Sequence, residues 1–484
     1  MALRSSHPGE KRVLRVGLLG PVHHVDPRQS QDFLSGMVQW QVFETPYGPP
    51  FADDPPPAML FREPLRRESE RGSRTVFSAP IRNGVRFSDG ALMTPNHVVA
   101  ALSRAAPLME QADVEARGER IFFILKRPNS RFEIALTQRF CAIVREGDDG
   151  RLLGTGPYML ASDSRPELVR LVRNPHARTD STIEEVFFKS YPPGPDGRPD
   201  DLLAALRDGQ VDFTNVLSRE ELGQIRGVRK WFEPGHSTGL LYFNTKRAGL
   251  RKPQVRRALA LAVSRNQLTK LCYTNALAFK ASGILPPMMG SWRDGIRHNL
   301  AQAKELLEGP GIATPRQLSL LLIFGPRQYL PDPNPVAEAV AEQIGELGIK
   351  INIIRTRDEE DYTRKVVAGH YDLVLSGWIA DTPDPADFLD SLLSSRLIPE
   401  EGKNLINRAN LSRFQSRRMD EALAAFRNDS SLENRTRIVE LMTSEMPLLP
   451  IMYGPTIVAH SWRVKNFRMS PLGIPFFSTL QLQD

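Results

Sequence analysis

The stretch from Gln317 to Ser376 constrains this chain more than any other, because two different periodicities alternate along it in a fixed order. Gln317 to Phe324 is an almost continuous apolar run, the pattern of a strand buried on both faces. A proline-rich loop, Pro326 to Pro333, ends it; Asn334 then suits an N-cap and Pro335 a first helical residue. Val336, Ala339, Val340, Ile344 and Leu347 recur at helical spacing, and Gly348 supplies a stop. Ile349, Ile351 and Ile353 alternate as in a strand. A helix from about Glu359 to Ala368 closes at Gly369, and Tyr371 to Ser376 reads as a third strand. Strand, helix, strand, helix, strand implies an α/β lobe with parallel strands.

The flanking sequence supplies further elements. Lys252 to Tyr273 reads as one helix opened by Pro253, with Val255, Leu259, Ala262 and Val263 as its apolar stripe. Phe414 to Phe426 and Leu432 to Met442 read as helices, and Met446 to His460 as an apolar strand interrupted by prolines. In the first half, Thr75 to Phe87 predicts a hairpin turning near Asn83-Gly84. Thr94-Pro95 opens a helix, Arg120 to Lys126 is a strand, and Leu168 to Val172 and Val186 to Tyr191 are two more. Asp200 to Asp208 is a helix ended by Gly209.

At about 100–200 residues per domain, 484 residues suggest two to four folding units. The net charge of +7 is modest for this length and no basic block accompanies it, so a nucleic-acid partner is not expected. Cys141 and Cys272 are expected to be buried free thiols. The longest apolar runs, such as Leu318 to Phe324, fall far short of the ~20 residues a membrane span needs. Met1 to Arg12 carries positive charge with no apolar h-region behind it, so the expectation is a mature form with a new start or a chain that stays in the cytoplasm.

Several short stretches then line up. Arg82-Asn-Gly-Val-Arg-Phe-Ser-Asp-Gly90 followed by Thr94-Pro-Asn-His-Val-Val-Ala-Ala-Leu102 resembles the signature segment of the family 5 bacterial solute-binding proteins, which take oligopeptides, dipeptides, nickel complexes and related solutes. Gly154-Thr-Gly-Pro-Tyr158, Arg173-Asn-Pro175, Ile183-Glu-Glu-Val-Phe187 and Leu203-Ala-Ala-Leu-Arg-Asp-Gly-Gln-Val-Asp212 are similar to later motifs in the same order. So are Phe243-Asn-Thr245 with Val255-Arg-Arg-Ala-Leu259, Asn299 to Leu307, and Gly377-Trp-Ile-Ala-Asp-Thr-Pro-Asp-Pro385.

The resemblance implies an α/β, two-lobed periplasmic-binding-protein-like fold (type II, cluster C-like) with a small inserted third domain. The first lobe maps to 1–38, 152–238 and 455–484, the insert to 39–151 and the second lobe to 239–454. Crossing segments near His236 to Asn244 and Met452 to His460 would form a hinge that closes the lobes on solute. The implied function is capture of a peptide or amine-bearing small molecule for an ABC permease, by a periplasmic or cell-surface monomer without cofactor or metal. The alternative is an intracellular protein of the same fold reused as a sensor or a biosynthetic enzyme. The sequence departs from the family pattern at Thr45 to Arg71, and the insert looks shortened between Ala105 and Glu119.

Asp381 falls where peptide-binding relatives place the carboxylate that receives the solute's ammonium group; a charge-assisted hydrogen bond in an enclosed cleft is strong. Asp381 and Asp384 could instead be turn residues beside Pro383 and Pro385. Trp378 could pack on the solute and attract its cation, or serve as core. Tyr158 and Tyr453 are further ligand candidates near lobe junctions. Arg327 and Arg413 could pair with a solute carboxylate, and Asn244 is expected to tie backbone. Gly235-His-Ser-Thr-Gly239 matches the Gly-x-Ser-x-Gly pattern of a hydrolase nucleophile elbow, but a strand-like sequence, Leu240 to Asn244, follows where a helix is required. His23-His24 is the one adjacent histidine pair, and neighbouring strand residues point to opposite faces, which suits no single ion. Nickel-binding relatives keep a nickel solute in view.

Overall fold

The computed structural model describes residues 12–29, 33–49, 55–68, 74–194, 198–217, 219–273, 276–290, 292–325, 327–380, 382–402, 408–470 and 472–483. The chain divides into two compact units, Met1–Phe232 with Ile457–Asp484 and Glu233–Thr456. Both divisions fall inside long strands, Arg229–Phe243 and Leu448–His460.

In the first unit the strand Val13–Leu18 lies parallel to Glu185–Ser190 and, through Val16, to Phe213–Thr214. Glu185–Ser190 is antiparallel to Leu168–Arg173, which pairs in turn with Tyr158–Leu160. Leu14, Val16, Leu171, Val186, Phe188 and Phe213 alternate into one core with Phe477 and Leu480 from the chain's far end. Asp212 ties this sheet together: it is almost sealed from water and accepts bonds from Arg15 Nε at 2.8 Å, Arg463 Nη1 at 3.2 Å and Ser461 Oγ at 3.3 Å.

The same unit holds a second sheet, antiparallel, in the order Arg66–Arg67, Val76–Pro80, Arg120–Leu125, Ala112–Arg117. Its own core runs from Tyr47 through Phe61, Phe87, Val98 and Phe123 to Ile143. The helix Pro95–Leu102 packs on this sheet and starts with a capping box: Thr94 Oγ1 accepts from the His97 N–H, and His97 Nδ1 accepts from the Thr94 N–H. The hairpin expected over Thr75 to Phe87 is not formed. Val76–Pro80 pairs with Arg120–Leu125, whose Ile121, Phe123 and Leu125 supply a matching buried face. The chain still turns at Gly84, with φ +74°, and Val85 and Phe87 then bond back to Met93 and Ala91.

The second unit contains the α/β alternation. Its strands run in the order Lys350–Ile354, Gln317–Leu322, Leu373–Ile379, Arg229–Phe243, Leu448–His460. The first three are parallel, and Leu373–Ile379 is antiparallel to Arg229–Phe243. Helix Pro333–Gly345 packs on the two outer parallel strands through Val336, Val340 and Ile344. That helix begins earlier than Asn334 suggests. Asp332 occupies the cap and Pro333, which has no N–H to lose, the first turn, while Asn334 accepts a bond from Arg355. Helix Glu359–Ala368 has the expected bounds, capped by Asp358 and closed by Gly369 in the left-handed region.

The segment read as one helix from Lys252 is two, Pro253–Ala262 and Arg265–Cys272. Val263 is extended, and Ser264 caps the second helix by accepting from the Gln267 N–H. The apolar stripe fitted a helix; the serine cap inside it was the missed signal. Leu448–His460 is one strand despite Pro450 and Pro455. Neither cysteine is in a disulfide, and Cys141 is buried as expected, but Cys272 is only partly so because it lies on the last turn of its helix. No helix among the described residues is long and apolar enough to cross a membrane.

Candidate functional site

The segment from Leu373 to Leu393 carries the sharpest sequence candidates, and the second unit fixes it from both ends. The Ala380 N–H donates to the His236 carbonyl at 2.8 Å. Beyond it, Thr382 Oγ1 accepts from the Asp384 N–H and donates to Asp387 Oδ2, both at 3.1 Å. Asp381 itself lies outside the described residues. Trp378 stands opposite Thr238 across the strand pair and is partly buried.

Three other candidates are committed to internal bonds. Asp384 is buried and caps helix Pro385–Leu393, its Oδ1 accepting from the Ala386 N–H at 2.9 Å. One turn on, Arg427 bonds Asp387 at 3.0 Å and Asp390 at 2.7 Å, locking helix Arg417–Asn428 to this helix. Burial alone lowers the guanidinium's pKa, but these carboxylates outweigh it and the group is held above its ordinary value. The Tyr453 hydroxyl accepts from the backbone N–H groups of Ser282 at 3.1 Å and Gly283 at 3.3 Å. Tyr158, in the first unit, shares a hydrogen bond with Ser181 at 2.8 Å, and burial pushes its phenol up to about 12.

The two arginines considered for a solute carboxylate lie on different elements. Arg413 has φ +50° and its Nη2 donates to the carbonyls of Val366, Val367 and Pro399, which closes the end of helix Glu359–Ala368. Arg327 is partly exposed on a tight turn in which Arg327 and Leu330 exchange backbone bonds of 3.0 and 2.9 Å. Asn244 ties backbone, donating to the carbonyls of Tyr371 at 2.8 Å and Gly369 at 3.2 Å.

The Gly235-to-Gly239 pattern has a packing explanation. Ser237 is fully buried within the strand Arg229–Phe243, so the sharp strand-to-helix turn of a nucleophile elbow is not formed there. A Cβ on Gly235 would sit 2.5 Å from Thr456 Oγ1, and one on Gly239 2.5 Å from the Tyr329 carbonyl oxygen. Both glycines admit another backbone closely. His236, between them, is buried with Nδ1 unbonded, and burial pushes its imidazole down to about 4. His23 and His24 are exposed with ring centroids 6.5 Å apart, and among the described residues no group of three or more His, Cys, Asp or Glu side chains is placed to hold a metal ion.

The second unit thus presents Trp378, partly buried, on one strand of its α/β sheet. Comparison with known proteins gives the family: residues 67–398 match bacterial extracellular solute-binding proteins, family 5 Middle, and the chain belongs to that family. It is 26% identical over 342 residues to the probable ABC transporter periplasmic-binding protein SapA of Escherichia coli, covering 68% of this chain and 60% of that protein. Di/tripeptide-binding protein 2 of Pseudomonas aeruginosa is 26% identical over 432 residues, covering 82% of this chain and 78% of that one. Among solved structures, HbpA2 of Haemophilus parasuis matches 97% of this chain and 100% of its own with a TM-score of 0.79 at 18% identity. A dipeptide-binding protein of Pseudoalteromonas in complex with Met-Leu matches the same shares with a TM-score of 0.71 at 18% identity. These neighbours agree with the expected fold class, a periplasmic-binding-protein-like α/β architecture.

Proposed function

We propose that this protein captures short peptides, or peptide-like solutes bearing an amine, and presents them to an ABC-type importer without altering them. The observation that carries the reading is the family match, which spans the candidate segment Gly377 to Pro385. Two of these proteins support the solute class: a di/tripeptide-binding protein among the relatives and a Met-Leu complex among the structures. On this reading Asp381 receives the solute's ammonium group and Trp378 packs beside it. Arg413 is occupied by three carbonyls and on this reading supports the fold rather than the solute. Asp384, Tyr158 and Tyr453 act as supports rather than contacts.

The same reading takes 1–38, 152–238 and 455–484 as one lobe, 39–151 as its insert and 239–454 as the other lobe. The protein works as a monomer outside the cytoplasmic membrane. The separate core from Tyr47 to Ile143 supports the insert.

The test is native mass spectrometry of gently purified protein, then denaturing extraction and titration with what is released. Short peptides or one amine-bearing metabolite are expected, and Asp381→Asn should weaken their binding about ten- to a hundredfold, the worth of a hydrogen bond to a charged group. Chemical conversion of the solute by the purified protein would overturn the reading.

A further inference from the structure

The first unit holds two stretches of chain with basic side chains and no acidic ones. Gln224 to Phe232 contains Arg226, Arg229 and Lys230, and Ile457 to Arg468 contains Arg463, Lys465 and Arg468; neither contains an aspartate or a glutamate. The fold brings the two together. The Arg229 guanidinium lies over the Trp462 ring, 4.5 Å from its centroid, and the Trp231 and Phe467 rings meet edge to face at 5.9 Å. Arg229 and Lys465 both act on the buried His460: burial first, then these two charges, outweigh the Ser461 carbonyl and hold the imidazole below its ordinary value. Two of the cations are committed internally. Arg463 bonds Asp212, and Lys230 donates to the carbonyls of Leu222 and Ile225. Arg226, Arg229, Lys465 and Arg468 pair with no carboxylate among the described residues.

Trp462 stands at the tip of a turn between the strands Leu448–His460 and Val464–Lys465, closed by the Val464 N–H donating to the Ser461 carbonyl at 3.2 Å. Its two neighbours hold the turn down. The Ser461 N–H donates to the Asp212 carbonyl at 2.8 Å, and Ser461 Oγ and Arg463 Nη1 donate to the Asp212 carboxylate at 3.3 and 3.2 Å. The indole itself is left 58% exposed, the one tryptophan more than half exposed among the described residues. A convex tip encloses no small molecule, since such sites are concave. An exposed indole ringed by cations suits a lipid–water boundary instead, where the ring sits among headgroups and the cations meet phosphates.

We propose that the Trp462 turn, with Arg229, Lys465 and Arg468, is a contact surface for a membrane rich in anionic phospholipid. The inference stands apart from the peptide-binding reading and names no solute. The single sign of charge over both stretches sets the partner: an anionic surface attracts every unpaired cation, whereas a neutral one takes up the indole alone. Because Asp212 already fixes the residues on both sides of Trp462, little ordering entropy is lost when the tip docks.

The experiment is co-sedimentation of the full chain with two kinds of vesicle, phosphatidylcholine alone and phosphatidylcholine mixed with an equal part of phosphatidylglycerol. Wild type should pellet with the mixed vesicles at low salt and far less with the neutral ones. It should be released at about 1 M salt, where the screening length falls to about 3 Å; this arm needs no variant. Arg229→Gln/Lys465→Gln should lower the partition coefficient about thirtyfold, or about fivefold for each cation removed. Trp462→Ala should lower it roughly tenfold. Nitroxide-labelled lipid should quench the tryptophan fluorescence of wild type, and Trp462→Phe should still bind but lose that quenching. Melting temperatures near that of wild type confirm that the variants fold. Equal binding to both vesicles, binding to neither, or quenching that survives in Trp462→Phe overturns the proposal. So does retention of wild type by duplex DNA at a salt concentration that frees it from the vesicles, which would make this surface a nucleic-acid contact.

Discussion

At the scale of single residues, the functional candidates separate by what their polar atoms already do. Tyr453 holds two backbone N–H groups, so Tyr453→Phe should cost about 1–3 kcal/mol in urea unfolding and leave peptide affinity within about twofold. A large loss of affinity at unchanged stability would return Tyr453 to the binding site. His236 makes a sharper case through pH. Its folded pKa, about 4, lies below the unfolded 6.5, so between those values the unfolded chain binds more protons. Its contribution is intact above pH 6.5 and is lost as pH falls through the window, amounting to about 2.5 kcal/mol by pH 4.5. His236→Phe should therefore show a shallower loss of stability between pH 7.5 and 4.5 than wild type. Parallel curves for the two proteins would show that the imidazole is not sealed from water.

At the scale of elements, much was legible and the misses share a cause. The strand–helix alternation from Gln317 to Ile379 could be read because its periodicities and stops are local. The pairing of Val76–Pro80 with Arg120–Leu125 could not, since a turn signal at Asn83-Gly84 says nothing about a better-matched strand far along the chain. Asp384 was legible as a turn residue beside Pro385 but not as the cap of a helix, and the roles of Arg256 and Arg413 depend on carbonyls brought in from distant elements. Arg256 is the extreme example. It is 2% exposed and donates to the carbonyls of Leu250, Arg251, Glu445 and Met446, joining the start of helix Pro253–Ala262 to the end of helix Leu432–Glu445. Burial pulls its guanidinium down to about 10 against the opposing pull of Glu445. Arg256→Met keeps the volume but strands those carbonyls, and should cost about 3 kcal/mol. Arg256→Lys should not rescue it, because one ammonium lacks the planar fork that serves four acceptors. Rescue by lysine in chemical denaturation would mean that charge alone, rather than geometry, holds the two helices.

For the whole molecule, the useful feature is that the chain passes between its two units twice, inside the strands Arg229–Phe243 and Leu448–His460. Gly235 lies in one of these strands and Thr456 in the other, and the glycine leaves no side chain between them. A protein that binds by closing two lobes should respond to solute in both size and stability. Solute that binds only the folded state raises unfolding free energy by about 2.7 kcal/mol at a hundred times Kd, with a matching rise in Tm. The radius of gyration from X-ray scattering should fall over the same titration, with the same midpoint. The coupling of the two readouts is the discriminating result. A rise in Tm with an unchanged scattering profile would mean that solute is held by one unit alone. The Asp381→Asn variant should shift both midpoints to higher solute concentration together, because the same bound state produces both signals. Separation of the two midpoints would place the stabilising solute at a second site, outside the Gly377 to Pro385 segment.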